Sequence, residues 1–220
     1  MKNSILRFIR KKCSVWLLLC TGMGFFSVGS YAVSPELQGY VLQVQMTPAI
    51  CAIDNNRQKQ RKCLEGYALT ISGLLPESTK PECSTGSSAS LTPLQAKVVA
   101  RVMPEESARV QLWRSVGGCT QMNASQYFRT MINFADRLKI PAELTGSENR
   151  QVQQTALRAQ FLRLNPGMTQ NSIRFSCQNL KSAPVLTEVQ VCYKVNGQYR
   201  QGSTHVVSSC PANFSIQGSY

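Results

Sequence analysis

Stretches rich in β-forming residues stand at both ends of the chain, and helical spacing of apolar residues lies between them. Tyr40-Val-Leu-Gln-Val-Gln-Met46 predicts a first strand, and Tyr67 to Ile71 a second that ends at Ser72-Gly73. Glu77 to Ser90 is rich in Pro, Ser, Gly and Thr and predicts a long surface loop. Thr92-Pro93 then offers a side-chain cap followed by a proline that suits a first helical turn. Leu94, Val98 and Val99 are the expected buried face of that helix. A second helix is expected over Glu105 to Val116, where Glu105-Glu106 favours the helix dipole. A third runs from about Ser125 to Leu138, with Phe128, Met131, Ile132, Ala135 and Leu138 recurring on one face. A fourth spans about Val152 to Leu164 and stops at Asn165-Pro166-Gly167. The pattern turns β again over Ile173 to Cys177, Val185 to Val195 and Gly202 to Val207, with Asn196-Gly197 as a hairpin signal. Strands, then helices, then strands predict an α+β domain: helices packed on a mainly antiparallel sheet.

The N-terminus adds an export reading. Lys2, Arg7, Arg10, Lys11 and Lys12 precede an apolar run from Val15 to Val28, and Ser30-Tyr31-Ala32 places small residues where a signal peptidase reads. Residues 1–32 are therefore expected to be a signal peptide and 33–220 a single domain. The apolar run is interrupted by Thr21, Gly22 and Gly24 and is short for a membrane span, so no transmembrane anchor is expected. Without that leader, 19 basic residues face 11 acidic ones, a net charge of +8. Such a surface suits a polyanion, and equally suits solubility alone.

Seven cysteines remain beyond the leader: Cys51, Cys63, Cys83, Cys119, Cys177, Cys192 and Cys210. In an exported chain they predict disulfides, with one thiol left over. They are too scattered for a zinc site, and the chain has one histidine, His205, so neither metal nor cofactor is expected. The basic stretch Asn55 to Lys62 reads as a solvated loop stapled at its base by Cys51 and Cys63. Ser72 has no evident histidine or lysine partner, which leaves a hydrolase nucleophile unsupported.

Several segments in order carry a resemblance: Met46-Thr-Pro-Ala-Ile-Cys51, Ser72-Gly-Leu-Leu-Pro76, Gln111-Leu-Trp-Arg-Ser-Val-Gly-Gly-Cys119, Tyr127-Phe128, Phe175-Ser-Cys177 and Leu186-Thr-Glu-Val-Gln-Val-Cys192. Together they resemble the ribonuclease T2 family of secreted, metal-free ribonucleases. The resemblance implies a ribonuclease T2-like α+β fold and the disulfides Cys51–Cys63, Cys83–Cys119 and Cys177–Cys210, with Cys177–Cys192 as an alternative to the last.

The departures bear on function. The family's two motifs carry histidines that serve as general base and acid, with a Glu and a Lys that stabilise the phosphorane. The matching positions here are Ser72, Gln111, Leu112, Ser115 and Val116. Serine and glutamine do not exchange protons near neutral pH, and Leu112 and Val116 have no polar side-chain group. Each positioned acid or base contributes about 10²–10⁴ in rate, so losing the set costs on the order of 10⁴ or more. His205 alone cannot supply both acid and base.

The expected function is thus an exported, secreted or periplasmic, catalytically inactive ribonuclease T2-like protein that binds. Single-stranded RNA is one partner, with Trp113, Arg114, Arg109 and Tyr127 as candidate contacts and Arg101 close by. Another exported protein is the alternative: Leu75, Leu112 and Val116 would make the former cleft greasier. Residual cleavage of RNA through a 2′,3′-cyclic phosphate is the third reading.

Overall fold

A computed structural model describes residues 37–80, 82–202 and 208–219. The expected signal peptide, His205 and most of the expected strand over Gly202 to Val207 lie outside the described residues.

The elements are β1 (Leu37–Met46), α1 (Thr47–Ile53), a 3₁₀ turn (Asn55–Lys59), α2 (Arg61–Leu64), β2 (Leu69–Ser78), α3 (Pro93–Ala100), α4 (Glu106–Val116), α5 (Ala124–Arg137), β3 (Arg150–Gln153), α6 (Gln154–Leu164), β4 (Ile173–Leu180), β5 (Ala183–Tyr193) and β6 (Asn213–Ile216). Among the described residues, six strands form one sheet in the order β2-β1-β5-β6-β3, with β4 also paired to β5. Every ladder is antiparallel except the Val185–Ser215 contact of β5 with β6.

Alternation along the central strands gives the sheet two unlike faces. Tyr40, Leu42 and Val44 of β1 pair in register with Tyr193, Val191 and Val189 of β5, and Met46 pairs with Leu69 of β2. These β1 and β5 side chains are buried against α4 and α5, where Trp113, Tyr127, Phe128, Met131 and Phe134 complete the core. Phe134 packs edge-on to Tyr40 at 6.0 Å and lies 4.7 Å from the Tyr193 ring. Gln43, Gln45, Glu188 and Gln190 point the other way and are half-buried.

The third expected helix forms as α5 and begins with a capping box: Asn123 accepts from the Gln126 N–H while Gln126 reaches back to Asn123. Thr92 and Gln95 do the same for α3. Of the apolar face expected there, only Val99 is buried. Leu94 is 72% exposed and Val98 37%, because this two-turn helix lies at the surface. The basic loop between Cys51 and Cys63 is helical turns rather than open loop, held by Arg57–Asp54 and Arg61–Glu65 ion pairs at helical spacing. Val152 starts no helix; it pairs with Phe214 in the sheet. The Asn196-Gly197 turn forms, with Gly197 at φ +83°, and its return arm joins Tyr193 through a Tyr193–Tyr199 bridge, with the Lys194 N–H donating to the Gln198 carbonyl and the Arg200 N–H to the Cys192 carbonyl.

Cys51–Cys63, Cys83–Cys119 and Cys177–Cys210 are bonded, and Cys192 is free and buried. Each bridge stabilises by about 2–4 kcal/mol through restriction of the unfolded chain.

Candidate functional site

The second strand runs five residues past Ser72-Gly73, to Ser78. Its end was expected there because serine and glycine interrupt the apolar run. In the structure Gly73 pairs with Gln43 and Ile71 with Val44, so Ser72 is the extra residue of a β-bulge. Pro76 is tolerated beyond it because β2 is an edge strand. The bulge places Ser72 on the polar face. Its hydroxyl donates to Glu188 Oε2 at 3.0 Å, a contact between residues 116 positions apart.

Glu188 is the hub of that face. Its Oε1 accepts from Gln190 Nε2 at 2.7 Å and from Gln43 Nε2 at 3.3 Å. Gln45, the direct cross-strand partner of Glu188, accepts through Oε1 from Lys62 Nζ at 2.6 Å. The Lys62 backbone N–H donates to Glu105 Oε1 at 3.0 Å, so Glu105 ties α2 to the start of α4. Burial lowers the Lys62 ammonium from its ordinary range, while Glu105 acts in the opposite direction. The floor is therefore three amides, one hydroxyl, one carboxylate and one ammonium, fixed by hydrogen bonds to one another.

The α4 wall contributes little chemistry. A Cβ built at Gly73 would stand 3.3 Å from Leu112 Cδ1 and 3.1 Å from Gln43 Oε1, so Leu112 fills the space beside the bulge. Leu112 and Val116 are 8% and 4% exposed. They close the cleft by packing rather than presenting a greasy surface. Ser115 donates its hydroxyl back to the Leu112 carbonyl at 2.8 Å, and Gln111 is exposed.

The four binding candidates do not assemble at this floor. Trp113 is 2% exposed, and its indole N–H donates to the Ser87 carbonyl and hydroxyl at 3.2 and 3.1 Å. Tyr127 is fully buried; its hydroxyl donates to the Leu74 carbonyl at 2.8 Å and accepts from the Leu74 N–H at 3.3 Å. Burial drives the Tyr127 hydroxyl well above its ordinary pKa. Both rings are core, with no open face for a base. Arg109 is 8% exposed and donates through Nη1 to the Met103 and Pro104 carbonyls at 2.7 and 3.1 Å. Arg114 is exposed and, with Arg109, lines a separate cavity beside the serine-rich loop. Arg101 is exposed at the end of α3. Glu188, Gln43, Gln45, Gln190 and Lys62 were not found from sequence. The Leu186-Thr-Glu-Val segment held the signal, since it matches the family pattern and places Glu188 on the polar face of a strand.

Comparison with solved structures decides the architecture. Ribonuclease MC1 from bitter gourd seeds superposes with a TM-score of 0.62 over 80% of this chain and 98% of its own, at 18% identity. The self-incompatibility-associated SF11-RNase of Nicotiana alata gives 0.64 at 14% identity over 80% and 96%. The chain has the ribonuclease T2 fold. A ribonuclease-related protein from Calystegia sepium shares that T2 fold with a TM-score of 0.63 at 17% identity, over 83% of this chain and 98% of its own. No protein-family model and no curated protein matches the chain. Structures of ribonuclease MC1 variants are complexes with 5′-GMP and with 5′-UMP. In the T2 fold seen here, the mixed sheet and the α4–α5 pair form without a histidine at any of the five motif positions.

Proposed function

We propose that this chain is an exported ribonuclease T2-fold protein that binds single-stranded RNA on the polar face around Ser72 and Glu188 and does not cleave it by the family's route. The observation that carries this reading is the bond from Ser72 to Glu188. Where the resemblance implies a histidine, a hydroxyl with no proton to exchange near neutral pH is tied into a fixed network of hydrogen-bonding groups. Amide and carboxylate side chains in fixed positions suit base edges, which display donors and acceptors. Lys62 and the exposed basic turns around Arg57 supply the positive charge that a phosphate backbone needs. That ribonuclease MC1 variants hold mononucleotides supports the ligand class. The leader expected over residues 1–32 and three disulfides support export to a secreted or periplasmic setting. Among the described residues, no helix is long and apolar enough to cross a membrane.

The test is anisotropy of labelled single-stranded RNA with the oxidised chain, run across salt concentrations. Affinity should fall with salt, and Lys62→Ala should lower the slope of log K against log salt by about 0.7, the value for one phosphate contact. A salt-independent affinity, or no affinity at low salt, would remove the RNA reading.

A second reading is favoured by one observation. Glu188 places a carboxylate beside Ser72, where a general base could stand, so residual cleavage through a 2′,3′-cyclic phosphate would depend on Glu188. Glu188→Gln abolishes cleavage if that reading holds. Of the three apolar residues behind the protein-partner reading, Leu112 and Val116 are buried and Leu75 is half-buried.

A further inference from the structure

We propose that the cavity beside α4 is a second binding site, one that takes a small phosphorylated, hydroxylated molecule through Arg114 and Arg109. This site does not rest on the RNA reading. Around α4, Arg109, Leu112, Trp113 and Val116 form the buried stripe, while Glu106, Val110 and Arg114 recur at i, i+4 spacing beside it. The second group faces the loop from Gly86 to Leu91 across a cavity of about 400 Å³. That volume lies within the range of small-ligand pockets, about 300–1,000 Å³.

The loop is held, yet it stands off the helix. The Cys83–Cys119 bond fixes its start. The Gly118 N–H donates to the Cys83 carbonyl at 2.8 Å, and a Cβ at Gly118 would collide with the Ser84 carbonyl, so glycine lets the chains meet there. Thr85 N–H donates to the Arg114 carbonyl at 2.8 Å, and the Trp113 indole holds Ser87. Beyond these ties the loop turns inward on itself. Thr85 bonds Ser87 at 3.1 Å and Ser88 bonds Ser90 at 2.7 Å, with no serine reaching across to a charged group of α4.

The charges choose the ligand. The cavity holds two guanidiniums and one carboxylate, Glu106. Among the described residues Arg114 makes no ion pair and no side-chain hydrogen bond, and Glu106 makes none either. Arg109 is fixed by its two carbonyl bonds. A guanidinium fork matches a phosphate oxygen pair, and one fixed arginine beside one adjustable arginine can close on it. The Ser87, Ser88 and Ser90 hydroxyls and the unspent Gly86 and Ala89 N–H groups are donors and acceptors for the hydroxyls of a sugar-sized body.

The experiment titrates the ¹⁵N-labelled, oxidised chain with ribose 5-phosphate, ribose and inorganic phosphate at low salt. Ribose 5-phosphate should move the amides of Gly86, Ser88 and Ala89, and ribose alone should not. Arg114→Ala should weaken binding roughly tenfold or more, as expected for loss of a charge-assisted bond. Arg114→Lys should fall between, and Glu106→Gln should tighten it by removing a repelling charge. Both positions are exposed, so neither variant threatens the fold. Still amides in this loop up to about 10 mM ligand, a concentration at which binding worth ~3 kcal/mol would register, overturn the site. Unchanged affinity in Arg114→Ala overturns it as well. Equal affinity for inorganic phosphate overturns the hydroxylated body. Shifts confined to Ser72 and Gly73 would place the molecule on the proposed RNA face instead.

Discussion

The two faces of the central sheet obey different rules. The inner face is continuous and apolar: Leu42, Val44, Val189 and Val191 meet Tyr127, Phe128 and Met131, and nothing there can change size without leaving a void or a clash. The outer face around Ser72 is a set of short polar bonds among half-buried side chains, each replaceable without disturbing the core. The difference teaches that a fold and its chemistry can part company. The inner face and the disulfides suffice to build the T2 architecture, while the outer face supplies amides, a carboxylate and a hydroxyl where the resemblance implies acid–base groups.

The sharpest way to break this contrast is to cut each face and compare. Trp113→Ala should cost about 3–5 kcal/mol, because it empties a fully packed site and frees Ser87. Its denaturant midpoint should fall accordingly. A loss below ~1 kcal/mol would mean that the ring is not part of the core. Joint replacement of Cys83 and Cys119 by Ala comes next, at about 2–4 kcal/mol, since it reopens a 36-residue separation. Limited proteolysis should then cut between Ser84 and Ser90 first; cutting elsewhere would show that this bond does not hold the loop. Ser72→Ala on the outer face should cost about 1 kcal/mol or less, the net worth of one half-buried hydrogen bond. A loss as large as that of Trp113→Ala would end the distinction between the faces.

The smallest effect is a pH effect. Burial pushes the Cys192 thiol up to about 11, with Glu77 adding to the rise and Arg174 and Arg200 opposing it. The folded state therefore holds this proton more tightly than the unfolded chain does. Its stability contribution is complete below about pH 9 and is lost as pH climbs toward about 11. Buried Tyr40, Tyr127 and Tyr193 are also raised by burial and act with the same sign at still higher pH. Chemical denaturation at pH 8 and pH 10.5 should show a smaller loss in Cys192→Ala than in the parent chain. Equal losses would remove Cys192 from the account.

Much of the inner face was legible in the sequence. The 3.6-residue spacing of Phe128, Met131 and Leu138 and the cap at Thr92-Pro93 report local geometry, which short stretches encode directly. The outer face was not. Ser72 meets Glu188 only because a bulge turns one residue of β2 and two separate ladders set the register, and no local pattern carries that. Trp113 and Tyr127 could be read as RNA contacts or as core, because aromatic type is visible in sequence and burial is not. Arg109 and Arg114 looked like contacts of the motif because they are close in sequence; in α4 Arg109 is buried in the stripe of Leu112 and Val116, and Arg114 turns to the cavity beside the serine-rich loop. Leu94 and Val98 were misassigned for a related reason: apolar type alone cannot tell which side of a short surface helix meets the core.

One measurement bears most directly on the central claim. The purified, oxidised chain is titrated with labelled single-stranded RNA near pH 5 and pH 7.5 at two salt concentrations, and the same samples are run on a gel. Intact RNA is expected, bound with a clear salt dependence whose slope is shallower in Lys62→Ala. Cleavage that tracks the protein through purification and disappears in Glu188→Gln would contradict it and make the outer face an active site.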